Sequence, residues 1–409
     1  MAITKPRSLL KTDRRSFMAW LLALGVAPSG IMAATAQIGR QAGASVAETD
    51  SGFSMYLAAR KRQGQYEAVL ISSHGVDRRV VPLPDRGHSF AIDARRNRAV
   101  AFGRQPGFFA VAFDFQGLRP PLPLPLAEHR HFFGHGVFTP DGNLLFATEN
   151  DFKAGRGVLG IYDASPEGGY RRLGEYATGG VGPHEVILLS DGKTLCVANG
   201  GILTHPDYGK LELNLDSMQP SLAYLDARDG RLLEQVFLPA ELHSLSLRHM
   251  ALDASGAVWV GCQYMGPATH RPALVARHRR GEPIQLFAGP PEVLRSMRNY
   301  VGSVAVDATG RVVATSSPVG NCIVFWNAAT GGCIGRAKLE DGCGVAPLAS
   351  KGFLLSSGLG VLATANPAPE VQPVNSASGG LSPVDGLPVV QASRSDVSWD
   401  NHMRIVPAG

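Results

Sequence analysis

Five short apolar segments that each open on a histidine recur along this chain, and that recurrence constrains its fold more than any other feature. His88 stands in GHSFAID, His135 in GHGVFTPDG, His184 in PHEVILLSDG, His249 in RHMALDASG and His402 in DNHMRIV. Each histidine begins a strand-like run, and four of the runs lead into a polar turn such as Asp141-Gly142, Asp191-Gly192 or Ser255-Gly256. One motif repeated at about the length of a four-stranded sheet predicts a radial array of such sheets. Between the repeats lie further β-type runs, including AVLIS, VLGIYD, LCVAN, AVWVGCQ, VVATSS and IVFWN, separated by Gly-containing turns. Strands at this density, with only Pro290–Tyr300 suggesting a short helix, predict an all-β protein.

Counting first strands gives the number of sheets. Candidates begin near His88, His135, His184, His249, Ser303 and Val345. The segment from Phe53 to Leu83 supplies three strand-like runs without a first strand, and Trp399–Val406 is a strand without followers. Together these fragments make one more blade, so the expectation is a seven-bladed β-propeller with its closing blade shared between the two ends. Sharing a blade closes the ring and removes exposed sheet edges. Uneven spacing keeps six and eight blades open as alternatives.

The first residues read as an address. A basic lead-in (Lys5, Arg7, Lys11), the paired Arg14-Arg15, the apolar run AWLLALGVA and Ala34-Thr35-Ala36 have the order of a secretory signal. The adjacent arginines before Ser16-Phe17-Met18 resemble a twin-arginine export signal, with Asp13 in place of the usual hydroxyl residue; an ordinary secretory signal is the alternative. The expected organisation is a signal peptide over 1–36, a linker over 37–52 and one propeller domain over 53–409. The formal charge of +5 then shrinks, because residues 1–36 carry five basic side chains against Asp13. A nearly neutral mature chain gives no support for a nucleic-acid partner. No cysteine follows the apolar run and no later run reaches membrane-span length, which argues against a stable membrane anchor.

Two loops stand apart. Residues 199–222 form a long polar insertion suited to capping one face, and residues 367–395 are rich in Pro, Ser and Gly and read as a flexible excursion. The five cysteines (Cys196, Cys262, Cys322, Cys333, Cys343) are an odd set. Cys322 and Cys333 flank a predicted hairpin, which leaves a disulfide between them open. The chain has no C-x-x-C, C-x-x-C-H, G-x-S-x-G, P-loop or H-E-x-x-H motif.

First strands of a propeller line its central channel, so the recurrent histidines should converge. A purely structural alternative is that each ring stitches its strand to the backbone of the next blade. Because their register against the following turn varies, a subset of two to four is expected to share one site. His135, His184 and His249, with Glu149 and Glu185, are the primary channel-mouth candidates; His88, His402, Asp151 and His205 are secondary. Mixed imidazole and carboxylate ligands suit iron, zinc or manganese, although the sequence does not identify the metal. The H-x-H pair His129 and His131 is a further metal candidate, set against exposed loop histidines.

These segments are also familiar. Phe132-Phe133-Gly134-His135-Gly136, Thr148-Glu149-Asn150-Asp151, Gly182-Pro183-His184-Glu185, Asn199-Gly200-Gly201-Ile202, Leu213-Asn214-Leu215-Asp216, Gly261-Cys262-Gln263-Tyr264, Arg298-Asn299-Tyr300-Val301-Gly302-Ser303 and Trp399-Asp400-Asn401-His402 resemble the domain-of-unknown-function 1513 family of exported bacterial proteins. The resemblance covers nearly the whole mature chain. It implies a seven-bladed propeller in the periplasm and often twin-arginine export. It also implies a link to iron acquisition, with imelysin-like proteins and a di-haem oxidoreductase as candidate partners. It carries no catalytic residues. Two functions follow as expectations: a non-enzymatic binding or scaffold protein with iron or another transition metal at the channel mouth, or a metal-dependent hydrolase, lactonase or redox enzyme using the same site.

Overall fold

The computed structural model describes residues 54–104, 107–209, 211–368 and 386–407. The expected signal peptide and linker lie outside them. The described strands form seven four-stranded antiparallel sheets, as the repeat count predicts. We number the blades from the first complete one. Their inner strands are Gly87–Asp93, Arg130–Phe138, Pro183–Leu188, Leu245–Leu252, Ser303–Val306 and Gly342–Pro347, and blade seven has Ser398–Val406. That last strand pairs with Met55–Arg62, so N-terminal strands and the C-terminal strand share one sheet.

Ring closure is held by side chains as well as by the ladder. Trp399 and Met403 are buried with Tyr56, Val69 and Leu354, which joins blade seven to blade six. The Arg60 guanidinium lies 5.6 Å from the Trp399 ring centroid and pairs with Glu67 at 2.8 Å, so the cation is covered without being left unpaired. Elsewhere the core runs between the blades. Trp259, Trp326 and Tyr224 are fully buried, and a single apolar cluster spans blades three to five.

The short helix is confined to Pro291–Ser296. The segment taken as a flexible excursion contributes Val390–Arg394 as the outer strand of blade six, while residues 369–385 within it lie outside the described set. No disulfide forms, because all five cysteines are free. Cys322 lies opposite Lys338 and Cys333 opposite Trp326, so the two thiols are offset along the hairpin.

Inner-strand irregularities position the channel side chains. Pairing of each histidine-bearing inner strand slips at or beside the histidine: between Gly87 and Phe90, Phe132 and Gly136, Pro183 and Glu185, Leu247 and His249, and over residues 400–402 opposite Ala59. An extra residue in a strand breaks the strict in–out alternation and re-aims the side chain at the bulge. Gly134 permits one of the two widest of these slips, the other lying over residues 400–402. The Gly134 φ is +105°, and a Cβ there would stand 2.5 Å from the His88 ring.

Candidate functional site: a buried histidine cluster in the channel

The bulges bring five imidazoles from five blades into one cluster. Ring centroids of His88, His135, His249 and His402 lie 4.5–6.1 Å apart, and His184 is 4.6 Å from His249 and 5.3 Å from His135. All five are buried. All five rings come together because bulges of different lengths absorb the register differences, while their ligand atoms still group in threes. The stitching alternative is corrected. Among the described residues no ring of the five bonds a backbone carbonyl; their polar neighbours are Glu185, Asp400 and Arg248.

Glu185 is the central carboxylate. Its Oε1 stands 3.4 Å from His135 Nδ1, its Oε2 3.9 Å from His249 Nδ1, and the same Oε2 accepts the Met250 amide at 2.8 Å. Arg404 reaches it from blade seven to make an ion pair. Burial pushes the Glu185 carboxyl up, but Arg404 and His135 outweigh it and hold the group well below the usual carboxylate range. Asp400 does the same on the other side, 3.8 Å from His88 Nδ1, paired with Arg86 and 3.6 Å from Arg104. Burial raises Asp400 too, yet His88 and the two arginines bring it to about 2.

The imidazoles shift in the direction that keeps them neutral. Burial lowers His88 to about 3, lowers His135, and carries His184, His249 and His402 well below the ordinary histidine value. Each of the five has a buried ring nitrogen without a hydrogen-bond partner: Nδ1 of His88 and His249, Nε2 of His135, His184 and His402. Neutral rings offer one lone pair and one N–H each. Two triads, His88/His135/His184 and His135/His249/His402, each present ligand atoms within 4.8 Å of one another, and they are the groups of this kind among the described residues. Clustered imidazole nitrogens, with Glu185 backing Nδ1 of His135, are the pattern of transition-metal sites.

Arg248, the bulge residue beside His249, places its Nη1 3.3 Å from His184 Nδ1. An arginine can only donate, so Nδ1 accepts and the neutral ring carries its proton on Nε2. This contact withholds the His184 lone pair and favours the triad of His135, His249 and His402.

The cluster separates two hollows. On one side a mouth of about 290 Å³ is lined by His88, His184 and His249 with Arg104, Arg248 and Tyr300. On the other, a vestibule of about 440 Å³ is walled by apolar residues such as Val137, Met250 and Ile405, with Glu185 and Arg404 at its lining. Phe133, Gly182, Arg248 and Asn401, which precede four of the histidines, line the mouth, and residues following all five line the vestibule. The 199–222 insertion closes over the mouth, to which it contributes Gly200, Ile202, Thr204 and Glu212. Asn214 holds it folded, accepting the Leu203 amide at 2.7 Å and donating to the Gly201 carbonyl at 2.8 Å. A larger hollow of about 570 Å³ lies between blades four and five; its Arg277 and Asp253 are occupied by Gln285 and the Trp259 indole.

Three sequence candidates fall outside the cluster. Glu149 is on the second strand of blade two, not an inner strand, and is buried against the Tyr162 hydroxyl at 2.6 Å and Arg172 at 2.8 Å. Burial raises its pKa against the pull of Arg172. Asp151 pairs with Arg130 at 2.9 Å and Arg156 at 3.0 Å. His205 sits on the cap with its ring against Phe152, centroids 5.0 Å apart, and accepts the Asp207 amide. The H-x-H pair does not join it either. His131 is buried, stacked on Phe133, and takes a hydrogen bond from Asn150, whose amide also donates to Thr204 of the cap. Conversely, Arg248, Arg404, Asp400 and Arg104 belong to the site and were not among the candidates. The one sequence signal is proximity, since Arg248, Asp400 and Arg404 lie within two residues of a recurrent histidine, whereas Arg104 does not.

The fold and site together define a seven-bladed propeller whose channel is plugged by buried histidines. The chain belongs to the DUF1513 family, described as "Protein of unknown function", whose model matches residues 81–406. The sequence matches no curated protein. Among solved structures it is similar to hydrazine synthase of Kuenenia stuttgartiensis, with 14% identity over 72% of this chain and 87% of that one and a TM-score of 0.54. It is also similar to the β-propeller domain of Cps50 (Swd1) from Myceliophteria thermophila, with 14% identity over 77% and 93% of the two chains and a TM-score of 0.50. Identities this low establish the shared propeller fold alone.

Proposed function

We propose that this protein is a non-enzymatic binding protein that holds one first-row transition-metal ion on the channel histidines, with iron the expected occupant. One observation carries the reading: five buried imidazoles meet in one place, each with an unpartnered ring nitrogen, and all of these but the protonated His184 Nε2 can present a lone pair. Leaving a buried polar atom unsatisfied costs about 1–3 kcal/mol each, so a cluster of five is costly unless a ligand satisfies it. Neutral nitrogen donors suit iron, zinc, copper or nickel better than calcium or magnesium, which take oxygen ligands. Glu185 in turn orients His135 through Nδ1, as outer carboxylates do in metal sites.

Iron is preferred over the other metals because the family resemblance links such proteins to iron acquisition. On the same basis we place the protein in the periplasm, exported through the signal at its N-terminus, with imelysin-like proteins and a di-haem oxidoreductase as candidate partners.

Titration of untagged, chelator-stripped protein with Fe(II), Zn(II) and Cu(II) tests the reading. One equivalent should bind, and His135→Ala should weaken binding at least tenfold, whereas His243→Ala, at an exposed position, should not. Absence of stoichiometric binding of all three ions would overturn it.

A further inference from the structure

The mouth cavity carries donors beyond those engaged with the histidine cluster, to which Arg248 is tied by one contact, Nη1 to His184 Nδ1 at 3.3 Å. Arg248 leans into it with its geometry already set: Nε donates to Ser246 Oγ at 2.9 Å, and that hydroxyl is fixed by donating to the Gly200 carbonyl at 2.8 Å. Among the described residues no carboxylate lies within ion-pair distance of this half-buried guanidinium. Arg104, which lines the same cavity, has only a 3.6 Å contact with Asp400, and that carboxylate is already shared with Arg86 and His88. Arg86 takes Oδ2 of that carboxylate and Arg104 shares Oδ1 with His88 at long distance, so Arg104 is only loosely paired and keeps donors for the mouth. Glu212 lines the cavity from the cap and is the one carboxylate that opposes this excess.

The neutral groups add to the donor set. The Tyr300 hydroxyl accepts from Asn401 Nδ2 at 3.4 Å, which leaves its own O–H to donate, and both side chains line the cavity. Holding an unpaired guanidinium out of bulk water is unfavourable unless an anion completes it, and the planar fork of arginine matches the two oxygens of a carboxylate or phosphate. A volume of about 290 Å³ lies at the lower end for small-molecule sites, which limits the ligand to a small anion.

We propose that the channel mouth is a binding site for a small oxyanion, a carboxylate or phosphate group, held by Arg248 and Arg104 directly above the histidine cluster. The site stands on the arginines and the cavity, so it does not depend on whether the histidines bind metal.

Calorimetric titration of untagged, metal-free protein with citrate, oxalate and inorganic phosphate at low ionic strength is the test. Saturable one-to-one binding of at least one anion is expected, and comparison of citrate and oxalate with phosphate separates the two chemical sources. Arg248→Ala should weaken it at least tenfold and Arg248→Lys should weaken it less, while Arg119→Ala, at an exposed position, should leave it unchanged. Thermal melts establish that each variant is folded, and Arg248→Lys retains the charge should the alanine variant fail to fold. No saturable binding of any of the three anions, or equal weakening by Arg119→Ala and the Arg248 variants, would overturn the proposal. Metal titration of the same preparations is read separately, so failure of the metal reading leaves this result interpretable.

Discussion

Glu185 Oε1 stands 3.4 Å from His135 Nδ1, and this contact joins the inner strand of blade three to that of its neighbour, blade two. A carboxylate at Nδ1 directs the Nε2 lone pair of His135 into the cluster, where that atom has no other partner. Replacing it by an amide keeps the shape but loses the charge. Glu185→Gln should therefore lower metal affinity about 10- to 100-fold, the usual effect of losing an outer carboxylate. Competition with a chelator of known affinity measures this, and unchanged affinity would remove Glu185 from the site.

Arg248 predicts a change in the opposite direction. Its N–H occupies the His184 lone pair, and its charge opposes a cation nearby. Arg248→Ala frees that nitrogen, so metal affinity should rise, by severalfold or more, in the same competition assay. A fall in affinity would mean that Arg248 organises the cluster rather than restrains it.

Acidity should destabilise the metal-free protein in a defined window. The folded-state pKa values of the cluster histidines are lowered, His88 to about 3, while unfolded histidine titrates near 6.5. Between those values the unfolded chain binds more protons than the folded one, so stability is greatest above about pH 6.5 and is lost as pH falls. Each histidine that stays neutral contributes a slope of up to about 1.4 kcal/mol per pH unit. Urea denaturation at pH 7, 6, 5 and 4 should show a steep decline, less steep in His402→Gln. A flat profile over that range would contradict burial of the rings in their neutral form.

Glu149 gives a contrasting expectation. Arg172 is its counter-charge in the blade-two interior, and removing one partner of a buried ion pair costs about 3–5 kcal/mol. Arg172→Ala should lower the melting temperature markedly yet leave the metal affinity of the folded fraction unchanged. Lost affinity in folded protein would return Glu149 to the site.

Much of this was legible in the sequence, for physical reasons. The first-strand runs set the blade count, and the partnerless strand around Trp399 showed how the ring closes. The convergence of the histidines followed from their shared place in the repeat. What could not be read was side-chain direction at a bulge, because counting alternate residues fails where a strand carries an extra one. That is why Glu149 and Glu185 looked alike: both lie in repeated strand segments, but only Glu185 is on an inner strand. Arg404 and Glu185 are 219 residues apart, and no local pattern announces a pair formed by ring closure.

Gly134 links backbone to site most tightly. A side chain there would be strained at φ +105° and would press on the His88 ring. Gly134→Ala should cost about 1–3 kcal/mol of stability and weaken metal binding, as denaturation and metal titration of one preparation would show. Stability lost without any change in binding would show that this bulge does not position His135 for the metal.

X-ray absorption at the edge of the bound metal tests the central claim most directly. The account predicts a first shell of nitrogen or oxygen atoms at about 2.0–2.2 Å with the outer-shell scattering of several imidazoles, and loss of that scattering in His135→Ala. A spectrum without imidazole scattering, or one dominated by sulfur ligands at about 2.3 Å, would contradict it.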